Sequence, residues 1–501
     1  MAVPLSFTMN GPRTVDLPAI ANHAMQQYGF EAHFPRAVLA EVAAVEDGAV
    51  PPGRRGVRTC TALLWSSIDN WDSMDLDQIE YCERGARGEI LVRVAIADVD
   101  LYVSQDTATD RHASHNGFSV YTGVVTYPML PDELSKGASS LLPGGDRMAV
   151  VIEYAVLPDG SVRPGDLYPA RVRNHAKLVY EEVGAWLEGT GEVPATVRDT
   201  PGLEAQLRLQ LEAMRLLRHR RHEQGALELE TVEAEPVLED GVVRDLVVQR
   251  QNLARCLIEE FMVAANGTMV AFLERADLPM LQRVVRVPRY WARIVETAAE
   301  YGETLPEDPD ARALAAFLLR RRAADPDRFP DLSLTVIKLL GPGEYVALGP
   351  GEESEGHFSL AVTDYTHATA PNRRYPDLVN QRLVASVFED EPAPYTWDEL
   401  VALAAWLSDR EKGTKKVERF VHKAVAAVLL HDRVGETFEG LVTGASPKGT
   451  WVRVVAPPVE GRVMRGEEGL AVGDRVRVRL LGTDAYRGFI DFEAVGGPRR
   501  G

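Results

Sequence analysis

The stretch SIDNWDSMDLDQIEYCE (67–83) is an acidic segment with apolar residues threaded through it. It contains no Lys or Arg, and its carboxylates belong to Asp69, Asp72, Asp75, Asp77, Glu80 and Glu83. Carboxylates this close in sequence repel one another unless they are solvated or bind a cation. Oxygen ligands of this kind suit Mg²⁺ or Mn²⁺, which support phosphoryl-transfer chemistry. The segment therefore indicates a site for a hard divalent cation.

The spacing within this acidic segment favours a shared site. Asp75 and Asp77 are two residues apart and would lie on one side of an extended chain, and Asp69 could approach them through the intervening loop. The plain alternative is a solvated acidic loop, because acidic runs usually form one. An EF-hand is excluded, since its glycine and its terminal bidentate glutamate are missing at the required positions.

The chain around this segment mixes strand and helix patterns. Apolar runs of strand length alternate with apolar residues at helical spacing. They predict buried strands at 90–96 and 149–156 and helices at 203–222, 252–273 and 410–430. The helix at 252–273 is apolar enough to be a core helix. Because no break in pattern separates these elements, we expect one large α+β domain over residues 59–434.

Smaller units flank this domain. Residues 1–58 contain two short helical patterns separated by Gly29, which predicts a helix-turn-helix-like or winged-helix-like module or a simple helical cap. Residues 435–496 contain five short alternating segments divided by Gly and Pro. This pattern predicts a five-stranded barrel of the oligonucleotide-binding kind, with an SH3-like barrel as the alternative. The expected fold class is therefore multidomain α+β.

A second informative segment is HFSLAVTDYTHATAPNRRYPDLVNQRL (357–383). Alternating apolar residues at 358–362 predict a strand, and the proline after the arginine pair predicts the first turn of a helix. Arg373 and Arg374 would then lie near a helix N-terminus, where backbone N–H groups also favour a phosphate. Arginine binds phosphate through two donors and stabilises the charge that develops during phosphoryl transfer. The alternative is that the arginine pair bridges acidic residues such as Asp364 and Asp377.

Length, charge and cysteine content set outer limits. The 501 residues, 45% hydrophobic and 26% charged, suit several globular domains, and no uncharged apolar run approaches the roughly 18 residues of a membrane helix. Three cysteines without a CxxC pair argue against a zinc site or a disulfide framework. A net charge of −19 argues against a generic nucleic-acid coat but allows a basic channel. We expect a cytoplasmic monomer with no membrane partner.

Seven segments, taken together, resemble the ribonuclease II family of RNB-domain exoribonucleases. They occur in the family's order and cover about residues 60–430. They are SIDNWDSMDLDQI (67–79), VAIADVDLYV (94–103), YPMLPDELS (127–135), SLLPGGDRMAV (140–150), AKLVYEEV (176–183), IEEFMVAAN (258–266) and the 357–383 segment. The end of the chain resembles the S1-type barrel that usually closes these enzymes.

The resemblance implies a processive hydrolase that degrades single-stranded RNA from its 3′ end and releases nucleoside 5′-monophosphates. It implies Mg²⁺ as the cofactor, with Mn²⁺ as an alternative. By motif match, the implied catalytic residues are Asp75, Asp77 and Arg373, of which Arg373 contacts the scissile phosphate. The implied metal ligands are Asp69, Asp75, Asp77 and Gln78.

The resemblance also implies a set of RNA contacts. Tyr121 is similar to the aromatic residue that clamps the terminal base, and Tyr180 is similar to a tyrosine that lines the RNA path and helps to set the length of the final product. Arg374 and Glu418 complete the implied RNA-binding set. For a second clamping aromatic, the candidates are Tyr290 and Trp291.

Two departures from the family pattern keep alternatives open. Gln78 stands where many members have a fourth aspartate, and its neutral carbonyl would hold a cation less tightly. The first sixty residues are too few for the two cold-shock barrels that members commonly carry, so we expect the helical module in their place. The alternatives are an RNA-binding protein that has lost catalysis and an enzyme that selectively trims RNA 3′ ends.

Overall fold

The computed structural model describes residues 15–45, 51, 53–230, 234–239, 242–248, 251–326, 328–454 and 456–496. The helices are α1 (Leu17–Gln27), α2 (Arg36–Val42), α3 (Ala108–Asn116), α4 (Tyr180–Leu187), α5 (Ala195–Asp199), α6 (Leu203–Gln224), α7 (Leu253–Arg275), α8 (Trp291–Glu300), α9 (Ala311–Ala324), α10 (Phe329–Leu340), α11 (Tyr375–Glu389) and α12 (Trp397–Leu429).

The strands of the large domain are β1 (Arg58–Thr59), β2 (Trp65–Asp69), β3 (Gln78–Arg84), β4 (Ile90–Ala97), β5 (Val120–Tyr121), β6 (Thr126–Tyr127), β7 (Asp146–Val156), β8 (Val162–Val179), β9 (Ala234–Glu239), β10 (Val242–Val248), β11 (Met280–Val284) and β12 (Glu344–Leu348). The strands near the C-terminus are β13 (Thr437–Ser446), β14 (Gly449–Val454), β15 (Val459–Arg465), β16 (Arg475–Asp484) and β17 (Phe489–Ala494).

The central sheet curves into a closed ring because its longest strand has two partners. The first part of β8 pairs with β7, whereas its last part pairs with β2. The order β8-β2-β3-β4-β7 then returns to β8. The apolar runs predicted as strands at 90–96 and 149–156 are β4 and β7, and their inward-facing residues are buried. The ring fixes the ends of β2 and β3, where the acidic segment lies.

Helix α7 crosses this sheet as the core helix that the sequence predicts. It is long and apolar enough to span a membrane by length and composition, but 72% of its most apolar window is buried inside the protein. It contacts β7, β8, α4 and α6. Burial of apolar surface therefore accounts for its composition, since a helix that is apolar on every side belongs in a core.

The segment at 358–362 is not a strand, so that prediction is wrong. Phe358–Leu360 forms a single 3₁₀ turn, and Ala361 adopts a left-handed conformation with φ of +53°. The chain reverses there, and the backbone N–H of His357 donates to the carbonyl oxygen of Val362. Apolar alternation cannot distinguish a strand from a short turn whose side chains pack on a neighbouring cluster, here that of α8–α10.

The two N-terminal helices are fastened to the large domain. Helix α1 packs on α12, and α2 packs on α3. The Arg410 guanidinium lies 4.0 Å from the ring centre of Phe30. Glu31 pairs with the buried His112 at 2.6 Å, and the Glu41 carboxylate accepts two backbone N–H groups at the start of α3. The described part of this module is therefore a surface layer of the large domain.

The C-terminal strands form the five-stranded closed barrel that the sequence predicts, in the order β13-β14-β15-β17-β16. Along β16, alternate residues Val476, Val478 and Leu480 are buried, while the arginines between them face outward. This period of two is the signature of a strand with one face in a core. The barrel contacts α12, which runs from the N-terminal helices to the barrel.

Candidate active site

The acidic segment folds as a loop between two strands of the closed sheet. Strand β2 ends at Asp69 and β3 begins at Gln78. The Ser73 hydroxyl donates to Asp69 Oδ1 at 2.8 Å, and Lys177 Nζ from β8 donates to the backbone oxygen of Ser73. These bonds pull the loop back over the end of the sheet. Asp69, Asp75 and Asp77 are thereby brought to one edge.

Asp77 is the most buried of the three aspartates. Its Oδ1 accepts the backbone N–H of Asn372 at 2.9 Å, and its Oδ2 lies 3.2 Å from Arg373 Nε. Burial raises the pKa of Asp77 to about 7; the charge of Arg373 opposes that rise, and the charge of Asp75 adds to it. A carboxylate that is held this far from water gains strongly from an added positive charge.

Arg373 reaches this carboxylate from the turn that precedes α11. Its side chain keeps 44% of its surface exposed although its head faces Asp77. Burial disfavours the charge of Arg373, but the carboxylates of Asp77, Asp69 and Asp75 raise its pKa above the usual range. The guanidinium is thus fixed as a cation, with donors left over for an anion.

Tyr121 closes another side of the same site. Its hydroxyl donates to Asp75 Oδ2 at 3.4 Å, and its backbone N–H donates to Glu418 Oε1 at 3.1 Å. The side chain is 41% exposed, so its ring has a free surface. Burial raises the pKa of Asp75, and it also raises the pKa of Tyr121. Tyr121 therefore links the carboxylate of Asp75 to Glu418 of α12.

Tyr180 stands at the start of α4, next to the end of β2. The guanidinium carbon of Arg255 lies 4.4 Å from the centre of its ring, a cation–π contact. Arg255 Nη2 also donates to Asn70 Oδ1 at 3.2 Å and to Glu181 Oε1 at 2.8 Å. Sequence reasoning missed Arg255. Its only sequence signal is its position shortly before the IEEFMVAAN motif.

The remaining predicted site residues have different surroundings. Gln78 is buried, with 5% of its surface exposed, as the first residue of β3. Glu418 lies on α12 and joins the site through the backbone of Tyr121. Arg374 does not join the aspartates, because its guanidinium is held by Asp377 at 2.6 Å. The structural ion pair considered for the arginine pair therefore applies to Arg374 and not to Arg373.

Two further observations concern residues near the site. Glu80 is fully buried, and neither of its carboxylate oxygens has a hydrogen-bond partner among the described residues. Burial and the charge of Asp69 raise its pKa well above the usual range. Of the aromatic candidates for a second clamp, Trp291 is buried among α8–α10 and donates its indole N–H to the Pro306 backbone. Tyr290 is 53% exposed.

The carboxylates of the site fit a magnesium ion that takes only a few of its ligands from the protein. Within the described ranges, no group of three or more His, Cys, Asp or Glu side chains is placed to hold a metal. Mg²⁺ commonly uses one or two carboxylates together with waters and substrate phosphates. Asp75 and Asp77 both have pKa values raised by burial, and the buried Asp77 Oδ2 faces Arg373 but has no hydrogen-bond partner among the described residues. These two carboxylates therefore fit such an ion.

Comparison with known protein families shows to which family the chain belongs. The model of the RNB domain matches residues 57–390, and that of the RNase II-type exonuclease C-terminal S1 domain matches residues 436–495. The first match alone covers well over half of the chain. The chain belongs to the RNB-domain exoribonucleases of the RNase R and RNase II family, with a C-terminal S1 domain. This family is generally metal-dependent.

Individual relatives agree with this assignment. The chain is 30% identical to ribonuclease R of Escherichia coli over 93% of its own length and 61% of that protein. It is 29% identical to ribonuclease R 1 of Lactococcus lactis over 92% of its length and 59% of that protein. The chain thus spans about three fifths of the length of these two relatives.

A solved structure shows the same fold. The Mycoplasma genitalium RNase R in complex with ribose-methylated single-stranded RNA superposes with a TM-score of 0.83 at 23% identity. The match covers 96% of this chain and 78% of that one. The same Mycoplasma protein has also been solved with double-stranded RNA.

Proposed function

We propose that this protein is a 3′-to-5′ exoribonuclease that hydrolyses single-stranded RNA processively and releases nucleoside 5′-monophosphates. The observation that carries the proposal is the group formed by Asp77, Arg373, Asp75 and Tyr121. A half-exposed arginine faces a buried carboxylate at 3.2 Å, and a part-exposed tyrosine that is hydrogen-bonded to Asp75 lies beside them. Membership of the RNB family supports RNA as the substrate.

In the proposed reaction, water attacks the last phosphodiester of the strand. The bond between phosphorus and the 3′ oxygen breaks, the proton of the attacking water ends on that oxygen, and a nucleoside 5′-monophosphate leaves. Arg373 binds the phosphate and stabilises the charge that grows on its oxygens. Tyr121 holds the terminal base on its exposed face, so that one nucleotide is placed for cleavage at a time.

The cofactor we propose is Mg²⁺, with Mn²⁺ as an alternative. Asp75 and Asp77 would hold it, with Asp69 and Gln78 alongside. When bound, the ion supplies Lewis-acid stabilisation of the phosphate and lowers the pKa of water. Gln78 brings no charge, so the two aspartates supply most of the attraction for the ion.

A second function deserves a test because of Gln78. An RNB-fold protein with a weakened cation site would bind RNA without cutting it. Against this alternative stands the intact contact between Asp77 and Arg373. A third reading, selective trimming of RNA 3′ ends, rests on the helical layer formed by α1 and α2. Hairpin and transfer-RNA-like substrates distinguish trimming from general degradation.

The test uses a 5′-labelled single-stranded RNA of about thirty nucleotides, incubated with the pure protein in Mg²⁺, with and without EDTA. We expect a ladder that shortens from the 3′ end, release of 5′-monophosphates, and loss of both in EDTA. RNA that stays intact but bound in Mg²⁺ and in Mn²⁺ would favour the binding protein. Internal cuts or 3′-phosphate ends would contradict the proposed chemistry.

A further inference from the structure

Trp71 is the most exposed large hydrophobic side chain in the described parts of the chain, with 76% of its surface open. It lies in the loop between Asp69 and Asp75, and Met74 in the same loop is 47% exposed. Leaving an indole in water forgoes one of the largest gains that a side chain can make on burial. An exposed tryptophan two residues from a site aspartate therefore calls for a binding partner.

The exposure of Trp71 does not come from a loose loop. Lys177 Nζ donates to the backbone oxygen of Trp71 at 3.0 Å, and Ser140 Oγ donates to that of Met74 at 2.6 Å. The side chain of Asn70 accepts from Arg255. The backbone is thus anchored on both sides of Trp71 while the indole projects outward. A fixed aromatic ring loses little conformational entropy when a flat ligand stacks on it.

Two cations contact the loop that carries this exposed ring. Lys177 holds backbone oxygens, and within the described residues no carboxylate pairs with it. Arg255 approaches from the side of Asn70 and pairs with Glu181. Aromatic surface combined with positive charge is the usual chemistry by which proteins hold unpaired nucleotides. The same chemistry does not favour an apolar peptide, which would gain nothing from Lys177.

We propose that Trp71 stacks on a nucleobase, with Lys177 facing the adjoining phosphate. This inference rests on the proposed function and adds a base-binding position to it. The base belongs either to the RNA strand or to a free nucleoside 5′-monophosphate, since both present the same flat ring and anionic phosphate. Because every base has a stacking face, the position should accept any sequence.

The experiment measures tryptophan emission during titration with a ten-nucleotide single-stranded RNA in EDTA, where no cleavage occurs. The chain has seven tryptophans, so the contribution of Trp71 is the difference between wild type and Trp71→Phe. Trp397→Phe is the matched control. Trp397 is 44% exposed and is the first residue of α12. It lies about 30 Å along the helix axis from Glu418, the α12 residue that contacts the site. A second titration uses adenosine 5′-monophosphate.

We expect RNA to quench wild-type emission and Trp397→Phe emission alike, and to quench Trp71→Phe clearly less. By anisotropy of labelled RNA, Trp71→Ala should bind about five- to tenfold more weakly, and Trp71→Phe within about twofold of wild type. Quenching of Trp71 by the monophosphate would assign the position to the free nucleotide as well. Quenching by RNA alone would assign it to the strand.

The proposal and the function on which it rests can fail separately. If the wild type binds labelled RNA but Trp71→Phe is quenched as strongly as wild type, the stacking position is overturned and the function stands. Unchanged affinity in Trp71→Ala overturns the position as well. If the wild type does not bind RNA at all, the proposed function fails and takes the position with it.

Discussion

Arg373 and Arg382 carry the same guanidinium group on the same stretch of chain, yet their surroundings differ. Arg382 is 3% exposed and donates to Asp100, Tyr395 and the backbone oxygen of Val103. It also pairs with Asp110 at 2.8 Å. Arg373 is 44% exposed and has one ion pair, to Asp77 at 3.2 Å.

This difference separates a structural cation from one that is available to a ligand. The donors of Arg382 are taken up by protein acceptors, so the group holds α11 against the segment at 100–110. Among the described residues the guanidinium of Arg373 has one ion-pair partner, Asp77, and its positive charge is maintained by the site carboxylates. An arginine in that state can bind a phosphate without breaking a structural bond.

The largest expected effect is the loss of folding stability when Arg382 is replaced. Arg382→Met should lower the free energy of unfolding by about 3–5 kcal/mol, because it leaves the buried carboxylate of Asp110 without its cation, although Asp100 keeps Arg54. Chemical denaturation measures the change. The control is Arg198→Met, which removes an exposed pair with Asp199 and should change stability by less than about 0.5 kcal/mol. A mild Arg382→Met would mean that the cluster is not structural.

Replacing Arg373 should instead lower activity and leave folding stability almost unchanged. Arg373→Gln should lower kcat for RNA hydrolysis by about 10²–10³-fold, because a preorganised donor to the phosphate is lost. Unfolding should change little, since Asp77, with a pKa of about 7, takes up a proton at little cost when its partner is removed. Arg373→Lys keeps the charge but not the planar fork, and should recover part of the activity. Equal kcat in wild type and Arg373→Gln would break the comparison.

The same reasoning extends to two buried carboxylates near the start of β3. Among the described residues Glu80 has no hydrogen-bond partner, whereas Asp77, the residue before the strand, faces Arg373. Glu80→Leu should raise the free energy of unfolding by about 1–3 kcal/mol, because it removes two unsatisfied acceptors from the core. Glu80→Gln keeps polar atoms there and should gain less. Denaturation of the three proteins side by side provides the measurement, and a destabilised Glu80→Leu would show that the carboxyl group has a partner.

The smallest effect concerns pH and His357. Burial, with the nearby charges of Arg283 and Arg221, lowers the pKa of His357 from 6.5 to about 4. The unfolded chain then binds more protons between those values, so the contribution of His357 to stability is present above pH 6.5 and is lost as the pH falls toward 4.

The check compares the unfolding midpoints of wild type and His357→Asn at pH 7 and pH 5. The buried carboxyl groups titrate in both proteins, so their effect cancels in the difference. Wild type should lose more stability than His357→Asn on going to pH 5. Parallel losses in the two proteins would exclude a contribution from His357.

Local pattern was sufficient for most elements of the fold. The runs that became β4, β7, α6 and α7 have the period or the apolar content of their elements, and the barrel strands alternate as strands do. The failure at 358–362 comes from Ala361, whose left-handed backbone is set by the surrounding fold and not by its residue type. The docking of α1 and α2 joins residues that are far apart in the sequence, such as Arg410 and Phe30, and such pairings have no sequence signature.

The residues of the site could be predicted from the sequence, but the contacts between them could not. The acidic segment and the arginine pair were visible, whereas the contact of Asn372 with Asp77 joins residues 295 positions apart. The family resemblance singles out Arg373, but local pattern alone does not tell it from Arg374, because the choice depends on which guanidinium meets Asp377 when α11 forms. Lys177 and Arg255 donate hydrogen bonds to the acidic loop from other elements, and their sequence surroundings give no sign of that role.

The most direct test of the central claim is turnover by Asp77→Asn. The asparagine keeps the shape of the side chain but removes the charge that faces Arg373. The account predicts that hydrolysis of a labelled single-stranded RNA falls to about a thousandth of wild type or below, which corresponds to about 4 kcal/mol in the barrier. RNA binding should stay within a few-fold of wild type. Normal turnover in Asp77→Asn would contradict the account.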